Sequence, residues 1–283
     1  MQTLSAIKKD LDFNRGLSSL IEVLKNIAVS QYRALEHKIK TFEKFSATVE
    51  SFFEFIDPGI INHPFLVPKE KVQAVVAVTS DSGMLGGLNM QVVNAALNEL
   101  EKIPGKLIVI GERGKNYARE SGVSFVAFSG IKDEERFGQA MQLRDYIVSK
   151  VLDGSISYVQ VVYPRPITFT IQRVEKINFL PFVFPTEKRI SAELIPEIIF
   201  ESRFSDIVEY LVYLWMGHKI YEIFGWSRLA EFAARFVHLE ESSQKLKEMD
   251  AKMRLQYFRV RHELIDRNMR ELFSARLLYA HKH

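Results

Sequence analysis

The last stretch of the chain, from Ser227 to His283, holds no proline and no glycine, and almost nothing in it breaks a helix. A helix of roughly 55 residues is about 80 Å long, longer than a compact domain of this size is wide. Its apolar residues recur at threes and fours: Leu246, Met249, Met253, Tyr257, Val260 and Leu264. The series then steps over by one to Ile265, Met269, Leu272 and Arg276. That is a heptad-like seam with a stutter, at which a supercoil unwinds locally. Alone it would leave a long apolar stripe in water, so it requires a partner helix.

The opposite end of the chain offers one. Met1 to about Ile56 lacks proline and contains a single glycine, Gly16. Its predicted seam runs Leu4, Ile7, Leu11, then Leu17, Leu20, Leu24, Ile27, then Ala28, Tyr32, Leu35, Ile39, Phe42. Asp57-Pro58-Gly59 ends it, because proline cannot continue a helix and glycine suits the turn. The expected arrangement is an antiparallel two-helix stalk carrying a globular domain, with positions near 24 and 260 facing each other. The alternative is an all-α bundle, but helices beyond about 25 residues are uncommon there.

Between the two stretches the period changes. Val72 to Thr79 is a run rich in β-branched residues, the pattern of a buried strand. A glycine-rich turn from Ser80 to Asn89 follows, then a helix to about Lys102. Lys106 to Ile110 reads as a second strand, with a short helix ending near Gly122. Val123 to Phe128 is a third strand, about Glu134 to Leu152 a third helix, and Ser157 to Tyr163 a fourth strand. Strand and helix alternating at this spacing imply βαβ units and a parallel sheet. After Pro164-Arg165-Pro166, which fits a hairpin turn, Ile167, Phe169, Ile171, Ile177 and Phe179 alternate with Thr168, Thr170 and Gln172. That predicts an antiparallel edge strand with one wet face. Pro181, Pro185 and Pro196 punctuate a loop, and helices follow from about Arg203. The expected fold class is α/β plus coiled coil: a helix over 1–56, a Rossmann-like domain over 70–182, and helices over 203–283 completing the coil.

Composition bounds the function. The chain has 283 residues, 47% of them apolar, which is enough for a real core. Its net charge of +3 is spread over interspersed charges of both signs, so no nucleic-acid footprint stands out. There is no cysteine, hence no disulfide, thiolate metal site or thiol nucleophile. The most apolar run, Ile207 to Met216, contains Glu209 and falls short of the roughly 20 residues of a membrane span. Lys8, Lys9, Asp10 and Asp12 interrupt any secretory core near the start. A soluble or peripherally bound cytoplasmic protein is expected.

Catalytic chemistry has little support. Glycines after the first strand suggest a phosphate cradle, and Glu112 stands where a dinucleotide fold holds its ribose-binding acid. Yet the spacing is Gly83-x-x-Gly86-Gly87, not G-x-G-x-x-G, and no phosphate-loop motif exists. Glycines there also serve a tight turn with torsions that other residues avoid. His37, His63, His218, His238, His262, His281 and His283 form no metal-binding pair, and Ser80-Asp81 has no base histidine near it. No catalytic residue, metal or cofactor is expected.

Ser80-Asp81-x-Gly83-x-x-Gly86-Gly87-Leu88-Asn89 after a buried strand resembles the S-D-R-G-L-C-G-G-L-N signature of the gamma subunit of F-type ATP synthases. Val109-Ile110-Gly111-Glu112-Arg113-Gly114 is similar to that family's V-V-G-x-K-G. Ile27-Ala28-Val29-Ser30-Gln31-Tyr32-Arg33 resembles its V-A-A-S-K-L-R. Ser227-Arg228-Leu229-Ala230-Glu231-Phe232-Ala233-Ala234-Arg235 resembles its S-x-x-S-E-x-A-A-R-M. Near the end, Arg259-x-Arg261-His262-x-x-Ile265-Asp266, with Glu271 and Ser274, falls on N-R-x-R-Q-x-x-I-T…E…S. The resemblance covers the whole chain in order. It departs at Ser82, for the signature arginine, at His262 and Asp266, for glutamine and threonine, and at Leu20-Ile21-Glu22-Val23-Leu24, for I-T-x-A-M. This is the pattern of a divergent branch. The cysteine-bearing insert of plant-type gamma subunits is missing, so thiol regulation of that kind is not expected.

The resemblance implies a mechanical role. The coil would be the central shaft inside a ring of alpha and beta subunits, with nucleotide chemistry on the beta subunits. The α/β domain, with its signature turn Ser80, Asp81, Gly83, Gly86, Gly87, Leu88 and Asn89, would be the foot. It would rest with an epsilon subunit on the membrane ring of c subunits. Arg259, Arg261, His262, Asp266 and Leu24 would meet the stator ring. Two other classes compete: a coiled-coil adaptor derived from a rotor subunit, and a nucleotide-binding α/β protein with a dimerisation stalk.

Overall fold

The structure, a computed structural model, describes residues 3–39, 48, 52, 63–68, 72–183 and 202–280. The chain divides into two compact units, Met1–Ile27 with His238–His283, and Ala28–Val237. The division cuts across both long helices, α1 (Leu4–Ile39) and α5 (Phe204–Ala280). The expected end of the first helix at Asp57-Pro58-Gly59, Phe42 of its seam, the loop around Pro185 and Pro196, and His281 and His283 lie outside the described residues.

α5 is one helix of 77 residues, where the sequence predicts several. Gly217 and Gly225 do not interrupt it, because both sit in close contacts. A Cβ on Gly217 would come within 2.9 Å of Arg144 and Met141, and one on Gly225 within 3.2 Å of Ile39. Burial on that face offsets the roughly 1 kcal/mol that a glycine costs inside a helix.

In the first unit the two helices run antiparallel. The seam of α1 in this unit runs through the buried Ile7, Leu11, Asn14, Ile21 and Lys25 and the half-buried Ser18, spaced alternately by four and three, with Leu4, Leu17 and Leu24 half-buried beside it. That of α5 runs through the buried Leu239 and Ser243 and the half-buried Leu246, Asp250, Met253, Tyr257 and Val260. The Asn14 side-chain amide donates to the Leu246 carbonyl at 3.2 Å, and Lys25 meets Glu240 at 2.5 Å. These two contacts set the register and correct the expected one. Position 24 lies opposite the neighbourhood of residue 240, and Val260 lies opposite the very start of α1. The predicted seam Leu17, Leu20, Leu24, Ile27 runs one residue to the side, with Leu20 54% and Ile27 47% exposed. On α5, Met249 points outward and Asp250 takes its seam position. Beyond Val260 the predicted continuation through Leu264, Ile265, Met269, Leu272 and Arg276 is exposed, without a partner among the described residues.

The second unit is built on a five-stranded sheet of β1 (Gln73–Val78), β2 (Gly105–Ile110), β3 (Phe125–Phe128), β4 (Tyr158–Pro166) and β5 (Gln172–Leu180), in the order β3-β2-β1-β4-β5. The first four strands are parallel and β5 is antiparallel to β4. Helices α2 (Leu88–Lys102), α3 (Glu112–Glu120) and α4 (Arg136–Leu152) complete the crossovers. Alternate residues of β1 face opposite layers. Ala74, Val76 and Val78 pack with α4 residues such as Leu143 and Ile147 and with Val212, Met216 and Phe224 of α5. Val75 and Ala77 pack with Val92 and Ala96 of α2 and Ala118 of α3. A strand buried on both faces reads as a continuous apolar run, as Ala74–Val78 does.

Pro164 and Pro166 lie inside β4, not in the hairpin turn. β1 accompanies β4 only as far as Val162, so beyond it one side of β4 is unpaired and tolerates a residue without an N–H. The turn is Ile167 to Ile171, closed by the Ile167 N–H on the Ile171 carbonyl at 2.9 Å. Hence Ile167, Phe169 and Ile171 are turn residues, outside the edge strand. Phe169 is held between Tyr32 and Phe236, with ring centroids 4.8 and 4.9 Å away.

Candidate functional site: the glycine-rich turn and the helix that receives it

The turn after β1 is held by its own polar side chains. The Ser80 N–H donates to Asn89 Oδ1 at 3.1 Å, and the Asn89 amide donates to Ser80 Oγ at 2.9 Å. Asp81 Oδ1 accepts the Glu112 N–H at 2.9 Å, and the Ser80 carbonyl accepts the Arg113 N–H at 3.0 Å. Thr79 Oγ1 accepts the Gly114 N–H at 3.0 Å. These hydrogen bonds commit the Ser80 N–H and the first three N–H groups of α3 to protein acceptors. Glu112 opens α3 and pairs with Lys115 at 2.5 Å. The Lys115 ammonium holds its carboxyl below the usual carboxylate range. Glu112 thus pairs within its own helix.

The glycines have separate reasons. Gly86, at φ +59°, and Met84, at φ +63°, turn the chain sharply enough to bring Leu85 and Leu88 onto one face. That face packs on Ala230 and Ala234 of α5, whose small side chains admit the turn. Gly111, at φ +94°, leaves no room for a side chain, since a Cβ would lie 2.6 Å from the Thr79 carbonyl. Gly83 lies under the Arg113 guanidinium, and Gly87 precedes α2.

Charge fastens the same junction. Ser82 donates to Glu231 Oε1 at 2.8 Å and accepts from Arg235 at 2.5 Å. Glu231, 4% exposed, also pairs with Arg228 and Arg235, each at 2.6 Å. Arg228 reaches on to Asp133 at 3.0 Å, so the loop before α4 joins the cluster. Burial works against the Arg228 charge, yet Asp133 and Glu231 outweigh it and hold its pKa above the ordinary arginine value. A buried carboxylate with two guanidinium partners is an anchor, since charge-assisted hydrogen bonds are about twice as strong as neutral ones. Sequence reading singled out Ser82 as a departure but missed this cluster. The i, i+4 spacing of Glu231 and Arg235 was the available signal.

The remaining predicted residues fall in the other unit. Arg259, Arg261, His262 and Asp266 are exposed on α5, and Leu24 is half-buried on α1. Nothing draws them toward one centre. Among the described residues no cluster of His, Cys, Asp and Glu could hold a metal, and no helix is long and apolar enough to cross a membrane.

The ATP synthase family profile matches residues 3–276. The chain is 21% identical over 281 residues to the ATP synthase gamma chain of Pelotomaculum thermopropionicum, covering 97% of this chain and 98% of that one. It is 25% identical over 278 residues to that of Symbiobacterium thermophilum, covering 95% and 96%. In fold it is similar to a chain of the rotor of Euglena gracilis mitochondrial ATP synthase, with a TM-score of 0.69 at 15% identity over 93% of this chain and 98% of that one. A chain of the central stalk and c-ring of the Tetrahymena thermophila mitochondrial enzyme gives 0.61 at 16% identity, over 79% and 99%.

Proposed function

This chain belongs to the ATP synthase family, and on that premise we propose that it is the central rotor shaft, the gamma subunit, of an F-type ATP synthase or ATPase. The observation that carries the reading is the antiparallel pairing of α1 with α5, in a register set by Asn14 on Leu246 and Lys25 on Glu240. Two paired helices resist twisting better than one, and a shaft must transmit torque. Its rotation inside a ring of alpha and beta subunits drives the beta subunits through different conformations in turn. Nucleotide chemistry resides on those subunits, and this chain is non-catalytic. The α/β unit is the foot, resting with an epsilon subunit on the c-ring, and the protein is peripheral to the cytoplasmic face of the inner membrane.

The stator ring meets Arg259, Arg261, His262, Asp266 and Leu24 in this reading. The four polar residues are exposed, which suits contact with a partner surface. Arginine forks fit carboxylates and carbonyls. The glycine-rich turn from Ser80 to Asn89 acts as the joint that seats the foot on α5.

The test is reconstitution. Co-purification with alpha and beta subunits is expected, and purified alone the chain is expected to bind no ATP in calorimetry. Replacing Arg261 and Asp266 together by alanine should leave thermal unfolding of the isolated chain nearly unchanged, because exposed charges contribute about 0–1 kcal/mol per pair. In the reconstituted complex the same variant should lower ATP turnover or coupling. Unchanged activity with a strongly destabilised chain would make these residues structural.

A further inference from the structure

Beyond Val162 the β4–β5 hairpin leaves the sheet. β1 pairs with β4 only as far as that residue, while β4 and β5 stay paired out to Pro166 and Gln172. The result is a two-stranded arm tipped by the turn Ile167 to Ile171. Its own contacts make it stiff. Pro164 and Pro166 fix the backbone of one strand. Glu175 of the other accepts from the Tyr163 hydroxyl at 3.2 Å and from Arg165 at 3.3 Å. In the turn the Ile171 N–H donates to Thr168 Oγ1 at 3.2 Å.

The arm lies across the seam of α1 and α5 within the second unit. Leu35 and Ile39 of α1 and Leu229 and Phe232 of α5 form that seam, with Tyr32 and Trp226 packed against it, one from each helix. The arm holds both of them. Arg165 lies over the Trp226 ring at 4.8 Å, and Phe169 meets the Tyr32 ring edge-on, at an interplanar angle of 84°. Phe169 also packs on Phe236 of α5 at 4.9 Å.

The two helices are otherwise rooted differently. α5 buries Val212, Met216 and Phe224 in the larger core of the sheet unit. Among the described residues α1 contributes none to the cores on either face of the sheet. A turning force on the sheet thus reaches α5 directly, whereas it reaches α1 through the seam and the arm. A two-helix shaft carries load as a pair only where both helices are held at the driven end.

We propose that the β4–β5 arm is the clasp that makes the sheet unit turn α1 and α5 as one, with Phe169 as its positioning residue. The inference rests on the reading of this chain as a rotor. Phe169 acts through Tyr32 and Phe236, each aromatic contact favouring the closed clasp by a factor of roughly two to ten.

The experiment uses the complex reconstituted in vesicles. ATP hydrolysis is followed together with the ion gradient it builds, the latter by proton- and sodium-sensitive dyes. Phe169→Ala is expected to hydrolyse ATP at the unaltered rate when no gradient opposes it, and to stall at a smaller gradient. Phe169→Tyr, which keeps the ring, is expected to stall where the unaltered complex does. Because the chain has no cysteine, Tyr32→Cys with Phe169→Cys can be bridged by a short bis-maleimide before reconstitution. The unbridged form should stall early, and the bridged form should hydrolyse normally and recover the gradient. This pair decides the matter if Phe169→Ala fails to assemble. A stall gradient unchanged in Phe169→Ala, or the same in both forms of the double variant, overturns the proposal. So does an equal loss in Val75→Ala, a sheet-core change, at matched Tm, which would assign the effect to stability. A bridge that stops hydrolysis also overturns it, since the arm would then have to leave α1 during rotation. If the chain does not co-purify with alpha and beta subunits, the rotor reading falls instead. Spin labels on Ser30 and Arg173 of the isolated chain then report the clasp. Their distance distribution is expected to broaden in Phe169→Ala, and no broadening there overturns it.

Discussion

The two units of this chain bury different things. In the second, β1 lies between two helical layers and every one of its residues is buried, nearly all of them aliphatic. In the first, the seam between α1 and α5 is interrupted by Asn14, Ser18 and Lys25 on one side and Ser243 and Asp250 on the other. Larger apolar side chains, Phe13 and Leu20 among them, face outward. A polar residue in a seam lowers stability but fixes register and partner. The sheet unit is therefore held by burial, whereas the helix pair is specified by a few polar contacts and leaves apolar surface exposed. That division suits a shaft, whose alignment matters and whose outer face meets other subunits.

The contrast is broken most severely by removing a core ring. Phe179 is fully buried against Trp215, with centroids 5.3 Å apart. Phe179→Ala is expected to cost about 3–5 kcal/mol in denaturant unfolding, with loss of the sheet unit's cooperative transition. Within the helix pair, Ile21→Ala should cost about 2 kcal/mol, the low end of the range for such truncations, because a seam between two helices relaxes more readily than a sheet core. Helicity monitored by circular dichroism would report it. An effect as large as that of Phe179→Ala would show the pair to be held by burial after all.

The polar contacts give a pH signature. The hydrogen bond to Glu240 raises the Lys25 pKa above 10.5, with burial opposing it, and the same bond from Lys25 lowers the Glu240 pKa below 4.5. A raised lysine contributes stability that is complete below its ordinary value and lost as pH climbs through the folded value. A lowered carboxyl contributes stability that is complete above its ordinary value and lost as pH falls through the folded one. The helix pair should thus be most stable between those limits, and distance measurements between spin labels on residues 22 and 241 should broaden outside them. In Lys25→Met that dependence should vanish while stability at neutral pH changes little, since Glu240 is half-exposed and stays solvated when the ammonium is lost, and methionine keeps the seam position apolar. The smallest effect belongs to Leu20→Ala, expected within about 0.5 kcal/mol for the isolated chain as for other surface positions. Leu20 and Ile21 are adjacent, so these two substitutions together locate the seam.

Much of the second unit was legible from residues alone. A run such as Gln73–Val78 has one stable use, between two layers, and Gly83, Gly86 and Gly111 mark turns that few other residues can make. The hairpin was misplaced because proline usually signals a turn. Only the end of β1 at Val162 shows why Pro164 and Pro166 are tolerated within β4. At the candidate site the turn's pattern was visible in the sequence. The partners of Ser82 were not, because Glu231 and Arg235 are some 150 residues away along the chain.

The periods of the terminal helices, near 3.6, and of the buried strands, near 2, are local properties of backbone geometry, so they can be read without knowing what lies opposite. Which face of α1 meets α5 is not local. Leu17, Leu20, Leu24 and Ile27 and the neighbouring Ser18, Ile21, Lys25 and Ala28 are stripes of equal spacing, and hydrophobicity favours the first. The partner helix chose the second, because Glu240 and the Leu246 carbonyl stand where Lys25 and Asn14 can reach them. A pairwise contact across more than two hundred residues leaves no trace in periodicity, and it decided the register.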